Sequence, residues 1–478
     1  MKRNWRTALL TFGSATVAGG ILMAQHIGDV PAISVHMREA DIEGGLVSFQ
    51  EVVRHGEMLF SAVFNKLDGH GRPGTTSDAQ PRLPQPGMVR TLGPDSHSCG
   101  ACHNRPRIGG GGDFSGNVFV ATESTMPVKD SIHPDFVSER MTVGLFGSGP
   151  IEALALEMTR ELQGIRSAAI HQAFLSSRNV PAHLMAKGID FGDIVARPDG
   201  TVETSGVRGV SPDLVIRPFH QNGAAVSLRQ FTNEGMNQHM GIQSEELFGI
   251  NTDADGDGII NELTVGDMTA LSLFQAQLAT PGRVIPADPI KRQAATDGER
   301  MFNTIGCTDC HVPAMKLNSP MFREANPFNP EWKIPFAVAK PVGFDMTKDG
   351  ELPRLEPTSD GGAIVRAYTD LKRHNLCDEH DNYFCNERTS LPGVPASTFL
   401  TRKLWDIGSS AAFGHRGDLS TITEAIEHHA GEGRPSLKNY LNLSSYERAA
   451  IVEFLKTLQI LPSGSPLVID GGSAAPTN

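Results

Sequence analysis

Cysteine is scarce in this 478-residue chain, with six copies, and so are tryptophan and tyrosine, with three and four. Basic residues are outnumbered, 42 Lys and Arg against 54 Asp and Glu, for a formal charge of −12. That deficit argues against nucleic acid as a partner, since phosphate binding relies on Lys and Arg. It leaves room for a basic protein partner, and equally for a charge that only aids solubility. Long apolar runs are missing except at the N-terminus. There Lys2, Arg3 and Arg6 precede an apolar stretch from Ala8 to Ala24, the order of a secretory signal. Its exit at Leu22-Met23-Ala24 fits a cleavage site poorly, and about 17 apolar residues are marginal for a membrane span. Residues 1–28 are expected to be a signal peptide or, left uncleaved, an N-terminal anchor. Either way the chain leaves the cytoplasm.

Four of the six cysteines fall in two copies of one pattern, Cys99-Gly100-Ala101-Cys102-His103 and Cys307-Thr308-Asp309-Cys310-His311. C-x-x-C-H is a haem-attachment signature: two thiols form thioethers to the haem vinyl groups, and the adjacent histidine reaches the iron. A redox disulfide has no need of the histidine. A zinc site would want a second cysteine or histidine pair at short range, whereas these motifs lie roughly two hundred residues apart. The spacing predicts two covalently bound c-type haems, with Cys99, Cys102, Cys307 and Cys310 as attachment points and His103 and His311 as proximal ligands. Covalent haem attachment and an export signal together predict a periplasmic protein, and make a small cytochrome a suitable basic partner.

Glycine and proline are abundant, 50 and 31 residues, which suggests a loop-rich protein built around its cofactors. Gly109 to Gly112 is a four-glycine run, but it lacks the Lys-Ser/Thr of a phosphate loop and reads as backbone packed against a haem edge. The chain also repeats itself. Gly56-Glu57-Met58-Leu59-Phe60 is echoed by Gly298-Glu299-Arg300-Met301-Phe302. Downstream of each motif, Thr264 with Asp267 and Ser444 with Glu447 form capping-box patterns ahead of apolar stripes at helical spacing. These features predict a mainly α fold of two cytochrome c-like domains, residues 29–285 and 286–462, with a disordered tail at 463–478. The first domain carries a large loop-rich insertion, roughly Thr122 to Gly249, whose blocks Arg140–Ala153, Arg217–Gly223 and Ser227–Phe231 spacing alone assigns no chemistry.

Asp253, Asp255 and Asp257 alternate ahead of Gly258, the front half of a Ca²⁺ loop. Thr264 stands where an EF-hand has its bidentate Glu, so Glu262 or Asp267 would have to close the shell. The competing reading is a solvated acidic turn. Cys377 and Cys385 lie in a polar loop, where a disulfide is the default after export and a reactive thiol pair the alternative.

Several blocks resemble the bacterial di-haem oxidoreductases, the thiol oxidoreductase-like branch of the di-haem cytochrome c peroxidase superfamily. They are Leu145 to Ala153, Ile216 to Gln243, Phe302 to Pro313 and Leu404 to Glu432, within a likeness spanning roughly residues 45 to 460. The most specific part is Leu404-Trp405-Asp406-Ile407-Gly408, then Phe413-Gly414-His415-Arg416-Gly417 and Thr421 to Ile426; Arg416 stands where the family often has Asp. The resemblance implies a peroxidase-like electron transfer between two haems, with hydrogen peroxide as a substrate and a redox protein as electron donor or acceptor. It implies His429, fourteen positions after His415, as the distal ligand of the second haem, with neighbouring His428 facing solvent because successive helical side chains diverge. It further implies His239, with Met240 as rival, as the distal ligand of the first haem. Glu152 becomes the distal acid/base, Trp405 an aromatic relay between haems, and the Asp253–Asp257 loop a calcium site between domains.

Overall fold

A computed structural model describes residues 28–71, 95–112, 115–119, 137–330, 341–386 and 394–472. Apart from Gly28, the expected signal or anchor lies outside the described residues, among which no helix is long and apolar enough to cross a membrane. In chain order the main elements are helix α1 (Phe49–Ser61), strands β1 (Ser115–Phe119) and β2 (Val137–Met141), helix α2 (Ser148–Ser176), strands β3 (Val180–Ala186), β4 (Ile189–Ala196) and β5 (Val202–Val207), and helices α3 (Leu228–Gly235) and α4 (Val265–Ala276). Strand β6 (Gly282–Ile285) leads into helix α5 (Pro289–Thr304). Short strands follow: β7 (Met315–Leu317), β8 (Met321–Glu324), β9 (Val342–Asp345), β10 (Glu356–Pro357), β11 (Ala363–Val365), β12 (Arg373–Asn375) and β13 (Thr398–Leu400). Helices α6 (Ile422–Glu427), α7 (Arg434–Leu441) and α8 (Ser445–Lys456) and strands β14 (Leu458–Gln459) and β15 (Val468–Asp470) complete the described chain.

The expected mainly α fold is corrected. The structure is mixed, 36% helix and 16% strand, with small sheets of two or three strands. The insertion is where the expectation fails most clearly. In Ile189 to Ala196 the side chains of Phe191, Ile194 and Ala196 are buried; Phe191 and Ile194 lie three positions apart because a shift in register against β3 falls between Asp190 and Asp193, beyond which the two-residue period of a half-buried strand resumes. Lys187 and Gly188, at φ of +49° and +81°, form the two-residue turn between β3 and β4, and positive φ at both positions suits the strand twist. The resulting antiparallel meander packs against α2, a helix of 29 residues. The segment past Pro462, expected to be a tail, contributes β15, which pairs in parallel with β6.

The internal repeat survives as a pair of helix crossings. Helix α1 crosses α4 at Gly56, where an added Cβ would lie 2.1 Å from the Ala270 carbonyl oxygen; α5 crosses α8 at Gly298, where it would lie 1.9 Å from that of Ala450. Only glycine lets the backbones approach this closely. Both expected capping boxes are present: Thr264 and Ser444 accept from the N–H of Asp267 and Glu447, whose carboxylates bond back. Phe60 then packs on Phe274 at 5.2 Å between ring centres, and Phe302 on Phe454 at 5.5 Å. Each crossing anchors its own apolar cluster, against which Cys99 packs in one half and Cys307 in the other. A third cluster joins the halves, drawing Ile151 and Leu154 from α2 together with Leu317, Phe322 and Trp405. Gly298→Ala is expected to force α5 and α8 apart and to lower unfolding free energy by about 1–3 kcal/mol, the usual penalty of overpacking, measurable by urea denaturation. The same substitution at exposed Gly361, with open space around it, is a poor control because its φ of +87° is itself unfavourable; Gly164, helical and unobstructed, is the better one.

Candidate haem sites

The two motifs adopt nearly the same local geometry. The His103 N–H donates to the Cys99 carbonyl and that of His311 to the Cys307 carbonyl, each at 2.9 Å. The repeated phenylalanine then backs each imidazole: Phe60 lies 6.1 Å from His103 and Phe302 6.1 Å from His311, ring centre to ring centre. Burial pushes both histidines down to about 4, so both are neutral near pH 7, the form that ligates a metal. None of the four motif cysteines is in a disulfide, whereas Cys377 and Cys385 form one with Cα atoms 5.9 Å apart. The glycine run packs on the motif itself: Gly110 lies against the Arg105 carbonyl and Gly112 against that of Cys102.

In the second half His429 stands across from His311, their ring centres 6.3 Å apart. Two imidazoles ligating one metal from opposite sides place their centres about 6 Å apart, since metal–nitrogen bonds run about 2 Å. Each ring is oriented through Nδ1, His311 to the Tyr368 carbonyl at 3.0 Å and His429 to the Ala425 carbonyl at 2.8 Å. This leaves both Nε2 atoms for a metal, the arrangement that metal-ligating histidines use. His428, expected to face solvent, is half-buried, its side chain 34% exposed: it stacks on Tyr383 at 4.5 Å and bonds Asp381 at 2.8 Å. The disulfide loop supplies both partners, and its Asp378 also binds Arg434 and the Gly431 N–H. That loop therefore braces the turn that carries His429, a role that no local pattern announces. His415 is buried among Tyr383, Phe384 and Phe399, at 5.0–5.5 Å.

The first motif opens on a cavity of about 1240 Å³, part of it in open solvent. Cys99, Cys102 and His103 line it together with His239 and Met240. His239 sits on a π-helical turn, Met236–Met240, a form of helix that recurs at functional sites. Its Nδ1 bonds Asp95 at 2.9 Å, and its carbonyl accepts from the Asp95 and Ser96 N–H groups. The segment leading into Cys99 thus holds the histidine that shares its cavity. Asp95 was not foreseen, because it lies 144 positions from His239.

Glu152 does not line this cavity. Its carboxylate instead accepts from the Leu228 N–H at 2.8 Å, at the start of α3, and from the Asn326 side chain at 3.0 Å. Burial, with Glu324 nearby, pushes it upward. The acid/base expectation is corrected accordingly: Glu152 is a structural tie between α2, α3 and the chain after β8. Trp405 is buried against Gly147, and Leu404 beside it belongs to the second half's cluster. The indole therefore stands at the junction of the halves. Its Nε1, like Arg402 Nε, is a buried donor without a hydrogen-bond partner; both suit an anionic group such as a haem propionate.

The Asp253, Asp255 and Asp257 carboxylates converge within 4.8 Å of one another. Both Asp255 oxygens and Glu262 Oε1 are buried without a hydrogen-bond partner. Burial, with the three aspartates nearby, pushes Glu262 up to about 9. Asp267 is committed elsewhere: it caps α4 and bonds His36 and His55, each at 2.6 Å. The three converging aspartates suit a hard cation, and Asp267 is not available to close its shell.

No protein-family profile matches the chain, and no curated protein does. Among solved structures, Kuenenia stuttgartiensis hydrazine synthase pressurised with xenon aligns over 96% of this chain and 100% of that one, at 13% identity and a TM-score of 0.36. A MauG-like protein associated with microbial copper homeostasis aligns over 58% of this chain and 79% of that one, at 16% identity and a TM-score of 0.27. Likeness at this level transfers neither fold nor activity, so the functional reading rests on the residues themselves.

Proposed function

We propose that this chain is a periplasmic di-haem c-type oxidoreductase of the peroxidase type, in which the two sites have different tasks. The observation that carries this reading is their asymmetry. His311 and His429 face each other at 6.3 Å, which suits a haem held on both sides and used for electron transfer. His103 opens on a large cavity with polar groups in its wall, which suits a haem that meets a substrate. Haem, when bound, supplies the one-electron steps. The chain's own residues do the rest. His311 and His429 hold one iron and His103 the other, Cys99, Cys102, Cys307 and Cys310 tether the rings, and Trp405 fills the junction between halves. Histidine in place of methionine opposite His311 favours a low potential there, because Met/His ligation raises it. Electrons would come from a small basic cytochrome, consistent with the acidic chain, and the oxidant would be hydrogen peroxide. The likeness of Leu404 to Glu432 to the thiol oxidoreductase-like family supports the same reading.

The test is absorption and electron paramagnetic resonance spectroscopy of the oxidised and half-reduced protein, with and without peroxide. One haem is expected to stay six-coordinate throughout, while the other changes on adding peroxide. Two six-coordinate haems, unchanged in every state, would instead establish an electron relay without catalysis. That second reading has one observation in its favour: Asp95 orients His239 as a carboxylate orients a metal-bound histidine.

Calcium is proposed at the Asp253–Asp257 loop. Saturation at 100 times the dissociation constant stabilises a fold by about 2.7 kcal/mol. A rise in melting temperature on adding Ca²⁺, reversed by chelator and absent in Asp255→Asn, is therefore expected in differential scanning calorimetry. No difference between Ca²⁺ and chelator would leave only an acidic turn.

A further inference from the structure

With Glu152 occupied elsewhere, the first cavity still needs a group that can move a proton, and its wall contains one. His220 lines the cavity, as do Arg140, Gln221 and Asn222. Its Nε2 bonds Glu234 Oε2 at 2.8 Å; the other Glu234 oxygen accepts from Gln230 Nε2 at 2.8 Å, and Gln230 Oε1 accepts from the Val226 N–H at 2.9 Å. A carboxylate held this way accepts a hydrogen bond from Nε2–H, which keeps the proton on Nε2 and leaves Nδ1 as the basic nitrogen, the arrangement of a base oriented by a third group. His374 differs: it spends both nitrogens, on Asp370 at 2.9 Å and Glu432 at 2.8 Å.

The backbone points the same way. His220 has φ of +59°, a left-handed conformation that costs a non-glycine residue about 1–3 kcal/mol and gathers at functional sites. A tight loop enforces it, with Phe219 bridged to Ala225 and the Gly223 N–H donating to the His220 carbonyl at 3.2 Å. Phe231 packs edge-on against the ring at 5.2 Å. The strain therefore serves to aim one imidazole. Arg140, tied through Nη2 to Asn222 at 3.2 Å, adds a cation to the same wall.

We propose that His220, oriented by Glu234, is the acid–base group of the first haem cavity, acting on a peroxide with Arg140 as its electrostatic partner. This rests on the peroxidase reading above. His220 takes the proton from the peroxide oxygen nearer the iron and returns it to the farther oxygen. The O–O bond breaks and the farther oxygen leaves as water, with His220 back in its starting state. The remaining oxygen becomes a second water on receiving two electrons, supplied by a one-electron donor protein, and two protons from solvent. Hydrogen peroxide, two electrons and two protons thus give two waters.

Stopped-flow mixing of the di-haem protein with peroxide, and separately with hydrogen cyanide, tests this. Cyanide is a readout without turnover, since the incoming acid must lose its proton to bind iron. In His220→Ala both rates are expected to fall about 100-fold or more, the scale of general acid–base catalysis. Imidazole affinity and the urea midpoint stay close to the parent, which shows an intact cavity. His220→Gln, which keeps a donor for Glu234, should match the alanine variant in rate. Glu234→Gln should give an intermediate rate with an altered pH profile. A fall of less than tenfold in both His220 variants, with a reactive parent protein, overturns the role of His220 and leaves the peroxidase reading standing. A parent protein inert to both peroxide and cyanide overturns the peroxidase reading, and the role of His220 with it.

Discussion

His429→Ala should convert one haem, and only one, from six-coordinate low-spin to a high-spin form, with added imidazole restoring the original spectrum. The reason is geometric. His311 is held by Phe302 and the Tyr368 carbonyl, neither of which touches residue 429 through a hydrogen bond. Deleting the facing imidazole, 6.3 Å away, therefore removes a ligand without removing its counterpart. The first motif, with its own aromatic backing from Phe60, should not respond. His429→Met keeps a ligand but exchanges nitrogen for sulfur, and should raise that haem's potential, within the span of about 0.8 V that axial ligands command. Redox titration followed at a haem band measures it. If neither variant changes the spectrum of either haem, the assignment of His429 is wrong.

The largest effect on stability is expected at Arg229, which is fully buried. Its guanidinium bonds Glu246 twice over, at 2.7–3.0 Å through Nε and Nη2, and Glu324 at 2.8 Å through Nη1. Both carboxylates are as buried as the arginine itself. Arg229→Met would leave two carboxylates without a cation in a medium that solvates them poorly. Breaking a buried pair from one side costs about 3–5 kcal/mol, so a large drop in the urea midpoint is expected. Neutralising the partners as well, in Arg229→Met/Glu246→Gln/Glu324→Gln, should recover most of the loss, because an uncharged set incurs no such penalty. Failure of the triple variant to recover would show that packing, and not charge, dominates. The network matters to the site because α3 carries both: Arg229 on one face, and Phe231, Thr232 and Gly235 on the face that lines the first cavity.

The contrast between these residues shows what was legible from sequence. His103 and His311 could be read directly, because their chemistry is written in five consecutive residues. The segments that carry Gly56 and Gly298 were legible as a repeat, though not what they cross, and the capping boxes at Thr264 and Ser444 as local patterns; local signals of this kind depend on neighbours in the chain. Glu152 misled because a family block placed it near the chemistry, while the Leu228 N–H and the Asn326 amide, 76 and 174 positions away, claim its carboxylate. His220, its partner Glu234 and the strained turn beneath it were passed over in a block that spacing assigned no role. The β-meander after α2 carries no clean period-two signal, because the shift in register inside β4 puts Phe191 and Ile194, both buried, at opposite parity.

The sequence by itself determined the two C-x-x-C-H motifs, the duplicated helix frame around them and the acidic loop, since each depends on residues within about a dozen positions, the reach of a capped helix or a cation loop. The tertiary structure alone decided what faces each motif. It set His429 against His311, brought Asp95 to His239, withdrew Glu152 from the cavity and put His220 into its wall. Those are relations between segments tens to hundreds of residues apart, and they follow from how helices and sheets pack into one core, which no local pattern encodes.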